Sequence, residues 1–521
     1  MNAAPQKTDV CILGAGLSGL TLARQLHRAK PDLSIALIEH RRYPVPEAAH
    51  KVGESTVEIA SHYLSEELGL KDHLESAQLP KFGLRLFFRG AEPIRDDLSR
   101  YDEVGPSKVL PIPTFQLDRG RFENHLAEEC RAAGATLLDG GTIRSINLET
   151  GRHQVTWRNG DGEKKLEARY LVDASGRRSL LRNQLVLDRP TNHDNHAVWF
   201  RVEGDIELES MSTDAAWLNR CHGKPRRLST NHFTGPGYWV WLIPLASGTT
   251  SVGVVFNPEW LSLDQVNTYD RFMRWLEGEH PLIAAAVTGR AVLDFHVLKQ
   301  YSHGARQTLD SSGWMITGDA GPFTDPFYSP GSDFIAFANG LITNVITRNA
   351  PASTYAEYQQ TFNAFFSNTL SIYRGMYGCM GNRDLMVVKT LWDYTYYWAV
   401  LSKLFFTGRF TDDAFMREAK PTLLTAAALN SGLQRQLRAA KGNGERRGGS
   451  SGFFDHHAFP LFHQLKNDLL RGDSENALGE LKEFVRRTEM VAADLKHCLV
   501  RINEFNEAPD QNRLLANSTF N

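Results

Sequence analysis

The sequence predicts an α/β protein with a βαβ opening, an inserted antiparallel sheet and a helical carboxyl-terminal region. Three observations predict it. A short apolar strand, Asp9 to Leu13, runs into Gly14-Ala15-Gly16-Leu17-Ser18-Gly19, an apolar-periodic helix through Leu20, Ala23 and Leu26, and a second strand from Ser34 to Ile38. Two later strands, Tyr170 to Asp173 and Trp314 to Thr317, end on small and acidic residues, the pattern of parallel strands whose carboxyl ends face a ligand. Between them, alternating segments such as Tyr238 to Leu245 and Ser251 to Phe256 read as antiparallel strands, and beyond Asp333 the pattern is helical.

Each part follows from local chemistry. Ser332 is a candidate cap for a helix from Asp333 to about Thr347. Residues 439–452, rich in glycine and charge without apolar periodicity, read as a loop inside the helical region, and the last dozen residues as a frayed end. The expected division is a module opened by the βαβ unit over 1–345, with the antiparallel sheet inserted at about 81–118 and 190–300, and a helical region over 346–521.

Composition narrows the function classes. With 42% hydrophobic and 23% charged residues, the 521-residue chain reads as soluble and globular. A net charge of -2 offers no basic field for nucleic acid. The segment Leu391 to Phe406 is apolar but carries Asp393 and Lys403, so no membrane span is expected. Cys11, Cys130, Cys221, Cys379 and Cys498 have neither metal-ligand nor redox-pair spacing, which excludes a cysteine metal site and fits a reducing cytoplasm. The amino terminus carries no signal-peptide apolar region.

The glycine-rich turn carries the first functional reading. Gly14, Gly16 and Gly19 permit a tight turn with close backbone approach, Ala15 and Ser18 share that turn, and the helix amino terminus attracts a pyrophosphate. Glu39 ends the next strand, where an acid accepts from ribose hydroxyls. This unit alone leaves NAD and FAD open. Two distant stretches, Asp173-Ala174-Ser175-Gly176 and Gly318-Asp319-Ala320, resemble nucleotide-contact segments of FAD enzymes of the p-hydroxybenzoate hydroxylase type. The resemblance implies an FAD-binding, glutathione-reductase-like fold, Asp319 near the ribityl or pyrophosphate end, and Arg119 as a flavin-contacting arginine.

Three further stretches are similar to motifs of the flavin-dependent halogenases. Lys51-Val52-Gly53-Glu54-Ser55-Thr56 resembles their flavin strap. Trp239-Val240-Trp241-Leu242-Ile243-Pro244 reproduces the W-x-W-x-I-P core, with Tyr238 in place of glycine. Phe323, Pro326, Ser329 and Gly331 match F-x-x-P-x-x-S-x-G. The match spans roughly the first 400 residues. It implies FAD used as FADH2 from a separate flavin reductase, and halide as co-substrate. Hypohalous acid would then cross a tunnel to a small aromatic substrate, free or tethered to a carrier protein. Gly53, Ser55, Thr56 and Gly331 would sit with the cofactor and Ser329 with the chemistry. Trp239 and Trp241 would wall the tunnel, although alternating aromatics on a strand also fill a core. Lys81, 28 residues after Gly53, matches the family lysine that holds or activates the oxidant. A lysine beside a strand is otherwise a solvated end charge; a partly desolvated one has the shifted pKa such work needs.

Two departures refine the expectation. Tyr328 stands where tryptophan halogenases carry a glutamate, which points to a phenol- or pyrrole-like ring that needs no cation-stabilising carboxylate there. Pro330 occupies a halide-contact position beside Gly331 and has no N–H to donate. The alternatives are an aromatic monooxygenase on the same scaffold and a non-catalytic or carrier-docking flavin protein; the presence of Lys81 and the tryptophan pair disfavours the second.

Overall fold

In the computed structural model, which describes residues 5–47, 51–90, 93–440 and 452–507, the described strands build two large sheets, accompanied by two short two-stranded ones. The first sheet has seven strands. Thr136–Leu138, Ile35–Ile38, Gln6–Leu13, Gly162–Asp173 and Trp314–Ile316 run parallel, and His153–Asn159 and Thr142–Asn147 continue from the long Gly162–Asp173 strand as an antiparallel meander. Val10, Ile12 and Leu37 are buried on one face and Cys11, Leu13 and Ala36 on the other. Both faces are therefore covered, as a parallel sheet requires. The carboxyl ends of three strands converge at Leu13, Asp173 and Ile316, where Leu13 pairs with Asp173 and Asp173 with Ile316.

The second sheet has eight strands, in the order Val292–Leu298, His196–Glu203, Thr249–Phe256, Tyr238–Leu245, Thr230–Gly235, Leu84–Phe88, Asp102–Val104 and Phe453–Phe454. The predicted strand Tyr238–Leu245 is present with those bounds, and the one expected from Ser251 begins two residues earlier at Thr249. Its side chains alternate between two cores: Tyr238, Val240 and Leu242 pack beneath the helices after residue 268, Trp239, Trp241 and Ile243 toward the rest of the chain.

The helical region opens with Gly331–Arg348, then Ala352–Tyr373, Arg383–Tyr396 and Asp413–Ala439. The first helix starts two residues before the expected Asp333, and Pro330, not Ser332, occupies the N-cap. The fixed φ of proline suits a helix entry, and Ser332 already lies in the first turn. The loop expected at 439–452 falls largely outside the described residues, as does the frayed end. Among the described residues no helix is long and apolar enough to cross a membrane, and no group of His, Cys, Asp and Glu could hold a metal ion.

Candidate active site

The glycine turn is shaped for a close-lying ligand. Gly14 has φ +109°, and a Cβ there would stand 2.4 Å from the carbonyl oxygen of Ala174. At Gly19 a Cβ would lie 2.1 Å from the Gly14 oxygen, so helix and strand touch through bare backbone. Gly16, by contrast, faces space bounded only by Lys51 Nζ at 3.8 Å. It caps the Leu17–Ala29 helix without any side-chain cap, so the first-turn N–H groups remain available for an anion. These features fit a dinucleotide pyrophosphate.

Glu39 is buried at the end of its strand. Its carboxylate accepts from Ala15 N at 2.8 Å and Arg41 N at 2.9 Å, which ties the second strand to the glycine turn. Oε1 also meets His40 Nδ1 at 2.7 Å, and Oε2 keeps a further lone pair for a ribose hydroxyl. Asp319 lies half-buried in the short Gly318–Ala320 turn beyond the Trp314–Ile316 strand, and Gly318 approaches Ser18 too closely for a Cβ. Arg119 heads the Arg119–Ala132 helix. It donates to the Val52 and Gly53 carbonyls at 2.8 and 3.3 Å and pairs with Glu123 at 2.7 Å, while its Nε is buried without a partner. Lys51 joins the same buried Glu123. The strap is anchored further by Glu54, which pairs with Arg201 at 2.8 Å, itself paired with Asp294 at 2.5 Å. The expected cofactor side is thus assembled, and it fits FAD.

Ser55 and Thr56 turn away from that side. Lys81 Nζ donates to Ser55 Oγ at 2.8 Å and to the Thr56 carbonyl at 2.7 Å. Ser55 Oγ also meets Thr230 Oγ1 at 2.9 Å, and Thr56 Oγ1 donates to the Phe115 carbonyl at 2.9 Å. Their polar groups hold the lysine and the strand contacts beside it. Lys81 itself is only 6% exposed. Burial drives its pKa down to about 7, against the opposing pull of Glu58 and then Asp333. It is not a solvated strand-end charge.

Lys81 opens into a partly open chamber of about 70 Å³. Its polar end holds Lys81, Glu58 and Asp333, and its apolar floor is built by Phe334, Phe337, Phe365, Ile372 and Leu401 from the later helices. Asp333 was read from sequence only as a helix start. It is fully buried, accepts from Ala60 N at 2.9 Å and from Tyr397 OH at 3.0 Å, and burial raises its pKa to about 8. Tyr328 and Pro330 line the same chamber, so the expected halide loop and the lysine open onto one space. Tyr328 and Ser329 both have left-handed backbone, φ 63° and 59°, a conformation that costs a non-glycine residue about 1–2 kcal/mol.

Trp239 and Trp241 lie on one strand face as expected, with ring centroids 5.7 Å apart, but they do not line the chamber. Trp239 packs on Phe327 at 5.3 Å, and Phe327 on Tyr328 at 4.4 Å, so the pair backs the chamber wall while Tyr328 forms its inner surface. Trp239 Nε1 donates to Tyr377 OH at 3.0 Å. Tyr377 in turn donates to Asp325 at 2.8 Å, and Asp325 also receives His193 at 2.6 Å and Tyr301 at 2.5 Å. No spacing in the sequence connects these four residues; only the fold brings them together.

Comparison with known proteins agrees with this architecture. Residues 7–253 match the FAD binding domain family. A flavin-dependent halogenase, chlA, of Dictyostelium discoideum is 30% identical over 368 residues, covering 65% of this chain and 60% of that protein. A 1H-pyrrole-2-carbonyl-(peptidyl-carrier protein) chlorinase of Pseudomonas fluorescens is 29% identical over 340 residues, covering 62% and 72%. Among solved structures, halogenase PltM in complex with phloroglucinol and FAD superposes with TM-score 0.66 at 17% identity over 96% of both chains, a likeness of fold. The match to the Dictyostelium protein thus spans less than two thirds of that relative's length.

Proposed function

We propose, for a chain that belongs to the flavin-dependent halogenase family and binds FAD, that it halogenates a phenol- or pyrrole-like ring in the Lys81 chamber. The observation that carries this reading is a buried lysine, its pKa near 7, facing a partly open, largely aromatic space that the Pro330 loop also reaches. Bound FAD, reduced by a separate reductase, supplies with dioxygen the two-electron oxidation that converts halide to an electrophile. Gly14, Ala15, Gly16, Ser18, Gly19, Glu39, Arg119 and Asp319 hold the cofactor, and Gly53 carries the strap past Arg119. Ser55 and Thr56 hold Lys81. A lysine titrating near neutrality exists as both amine and ammonium, so it can capture the electrophile on nitrogen or donate a proton to it. Residues 1–345 form the cofactor module, and its last helix joins 346–521 in supplying the chamber floor. A ring tethered to a carrier protein is within this reading, as in the pyrrole relative. The direct test combines protein, a flavin reductase, FAD, NADH, bromide and a panel of phenols and pyrroles, read by product isotope pattern. No brominated product from any ring would overturn it.

Removing the ribose acceptor gives a cofactor test. Losing a charged hydrogen bond costs about 1.5–3 kcal/mol, so Glu39→Ala should weaken FAD roughly ten- to a hundredfold in a fluorescence titration. Unchanged affinity would remove Glu39 from the ribose.

Pro330 favours a second reading, an aromatic monooxygenase. Of the two backbone positions expected to hold halide, only Gly331 can donate, at the start of an 18-residue helix whose dipole favours an anion. One missing bond to an anion is worth about 1.5–3 kcal/mol, a factor of roughly ten to a hundred and fifty. Chloride, the more strongly hydrated halide, suffers most. Pro330→Ser should therefore tighten halide, and with chloride and bromide supplied together it should raise the chlorinated share. Efficient chlorination by the wild type at low chloride would clear Pro330 of any cost. Hydroxylated product alone, from both proteins, would establish the monooxygenase.

A further inference from the structure

Glu58 begins the short Glu58–His62 helix, immediately after the strap, and lines the chamber beside Lys81 and Asp333. It is 5% exposed, yet its carboxylate has no hydrogen bond or ion pair among the described residues. The neighbouring acids are differently placed. Asp333 is satisfied by Ala60 N and Tyr397 OH, and Asp393, also on the lining, pairs with Lys389 at 2.9 Å and receives Gln434 at 2.7 Å. The lysine ammonium is held by Ser55 and Thr56 and is not within ion-pair distance of Glu58, although the two interact electrostatically. A buried carboxylate left without a partner is costly, and such groups normally find one. Glu58 lines the chamber, where a hydroxyl donor on a bound ring can reach it.

We propose that Glu58 is a catalytic residue: it accepts the hydroxyl hydrogen of a phenolic substrate and takes that proton as the ring is halogenated. This rests on the halogenation reading and names its substrate class. As the carbon–halogen bond forms at a ring carbon facing Lys81, the O–halogen bond of the hypohalous acid breaks and the leaving hydroxide takes a proton from the Lys81 ammonium to depart as water, while the O–H electron pair of the phenol moves into the ring and its proton passes to Glu58. The ring C–H proton then passes to the Lys81 amine, which restores aromaticity and the ammonium, and Glu58 returns its proton to the product oxygen. Asp333 is kept largely protonated by burial and Asp393 is paired with Lys389, so the Glu58 carboxylate is the lining acid that favours a neutral hydroxylated ring over one bearing a carboxylate or phosphate. Tyr328 occupies the loop side of the chamber, so the carboxylate enters from the strap side instead.

The experiment uses the full-length holoenzyme and a matched pair of rings, resorcinol and its dimethyl ether. Wild type should bind and brominate resorcinol and turn over the ether at least about a hundredfold more slowly, the range of a lost general base. Glu58→Gln should lower kcat on resorcinol by about a hundredfold and leave the slow ether rate unchanged. In that variant the rate should climb as pH approaches the ionisation of the phenol itself, and more acidic fluorinated phenols should recover most of the loss. A structural defect would depress both rings alike and would not respond to phenol acidity; that outcome overturns the assignment, as does full activity of Glu58→Gln. If wild type brominates neither ring, the halogenation reading itself has failed. Calorimetric binding of resorcinol then still reports on Glu58, because Glu58→Gln should weaken resorcinol roughly tenfold and the ether not at all, and equal weakening would remove the hydroxyl contact.

Discussion

Lys81→Ala should abolish halogenated product while reduced flavin is still consumed. The expected loss is about a hundred- to ten-thousandfold in product formation, the scale of removing a positioned acid–base or capturing group. Its position gives the reason. The amine is fixed by Ser55 Oγ and the Thr56 carbonyl at the mouth of the chamber, whereas the glycine turn and Glu39 belong to the opposite end of the strap. Lys81→Arg should fail as well, because a guanidinium stays protonated and cannot capture an electrophile on nitrogen. The sign of the pH dependence follows from the lowered pKa. The neutral amine is the minor form below about 7 and the major form above it, so a rate limited by that amine rises through pH 7 and then levels off. Parallel measurement of NADH oxidation and halogenated product across pH 5.5 to 9, numbers set by that midpoint at about 7, checks both claims. Near-normal product from Lys81→Ala would remove the lysine from the chemistry.

The second large effect concerns stability. Glu103 is fully buried on the Asp102–Val104 strand and gathers three guanidinium groups: Arg85, Arg226 at 2.9 Å and Arg220 at 2.8 Å. Arg85 and Arg226 are themselves fully buried, and Arg226 stacks over Trp217 at 3.6 Å. Burial pushes the Glu103 carboxyl up, but Arg85 and then Arg226 outweigh it and hold it below the ordinary range. Glu103→Gln leaves the buried Arg85 without a counter-charge and Arg226 with only the half-buried Glu209 at 3.3 Å. Breaking a buried pair in this way costs about 3–5 kcal/mol, which should appear as a melting temperature lower by several degrees. Because the folded-state pKa is depressed, the stabilisation is present above the unfolded value of about 4.3 and is lost as pH falls through the folded one. The gap between wild type and variant should therefore be widest near neutrality and shrink on acidification. A melting temperature unchanged by Glu103→Gln at pH 7 would show that the arginines find other partners.

Much of the cofactor half was legible because its signals are local. A strand, a glycine turn and a helix sit within some two dozen residues, and the turn demands glycine at Gly14 on steric grounds that any reader of the sequence can apply. Tyr238–Leu245 was legible through its alternation, and Lys81 through motifs on either side of it. The chamber was not. Its polar end draws on Glu58 from the strap and Asp333 from a helix 275 residues later, and in sequence each looks like an ordinary acid at a helix start. Burial gives them their meaning, and burial is set by helices whose periodicity says which face is apolar but not what it covers. The tryptophan pair illustrates the same limit. Alternation places both rings on one face, but which rings touch the chamber depends on Phe327 and Tyr328, delivered by a loop with two left-handed residues.

The edge strand Phe453–Phe454 has a consequence for biosynthesis. It completes the second sheet by pairing with Asp102–Val104, with Glu103 N donating to the Gly452 carbonyl and Gly452 N to Asp102, partners 350 residues apart. A chain emerging from the ribosome makes Asp102–Val104 early and its cover late, at a pace of about 5–20 residues per second. For tens of seconds the sheet presents an open row of backbone donors and acceptors, the template on which nascent chains join edge to edge. Yield from an expressing cell should thus depend on temperature and chaperone supply more steeply than the finished protein's stability implies.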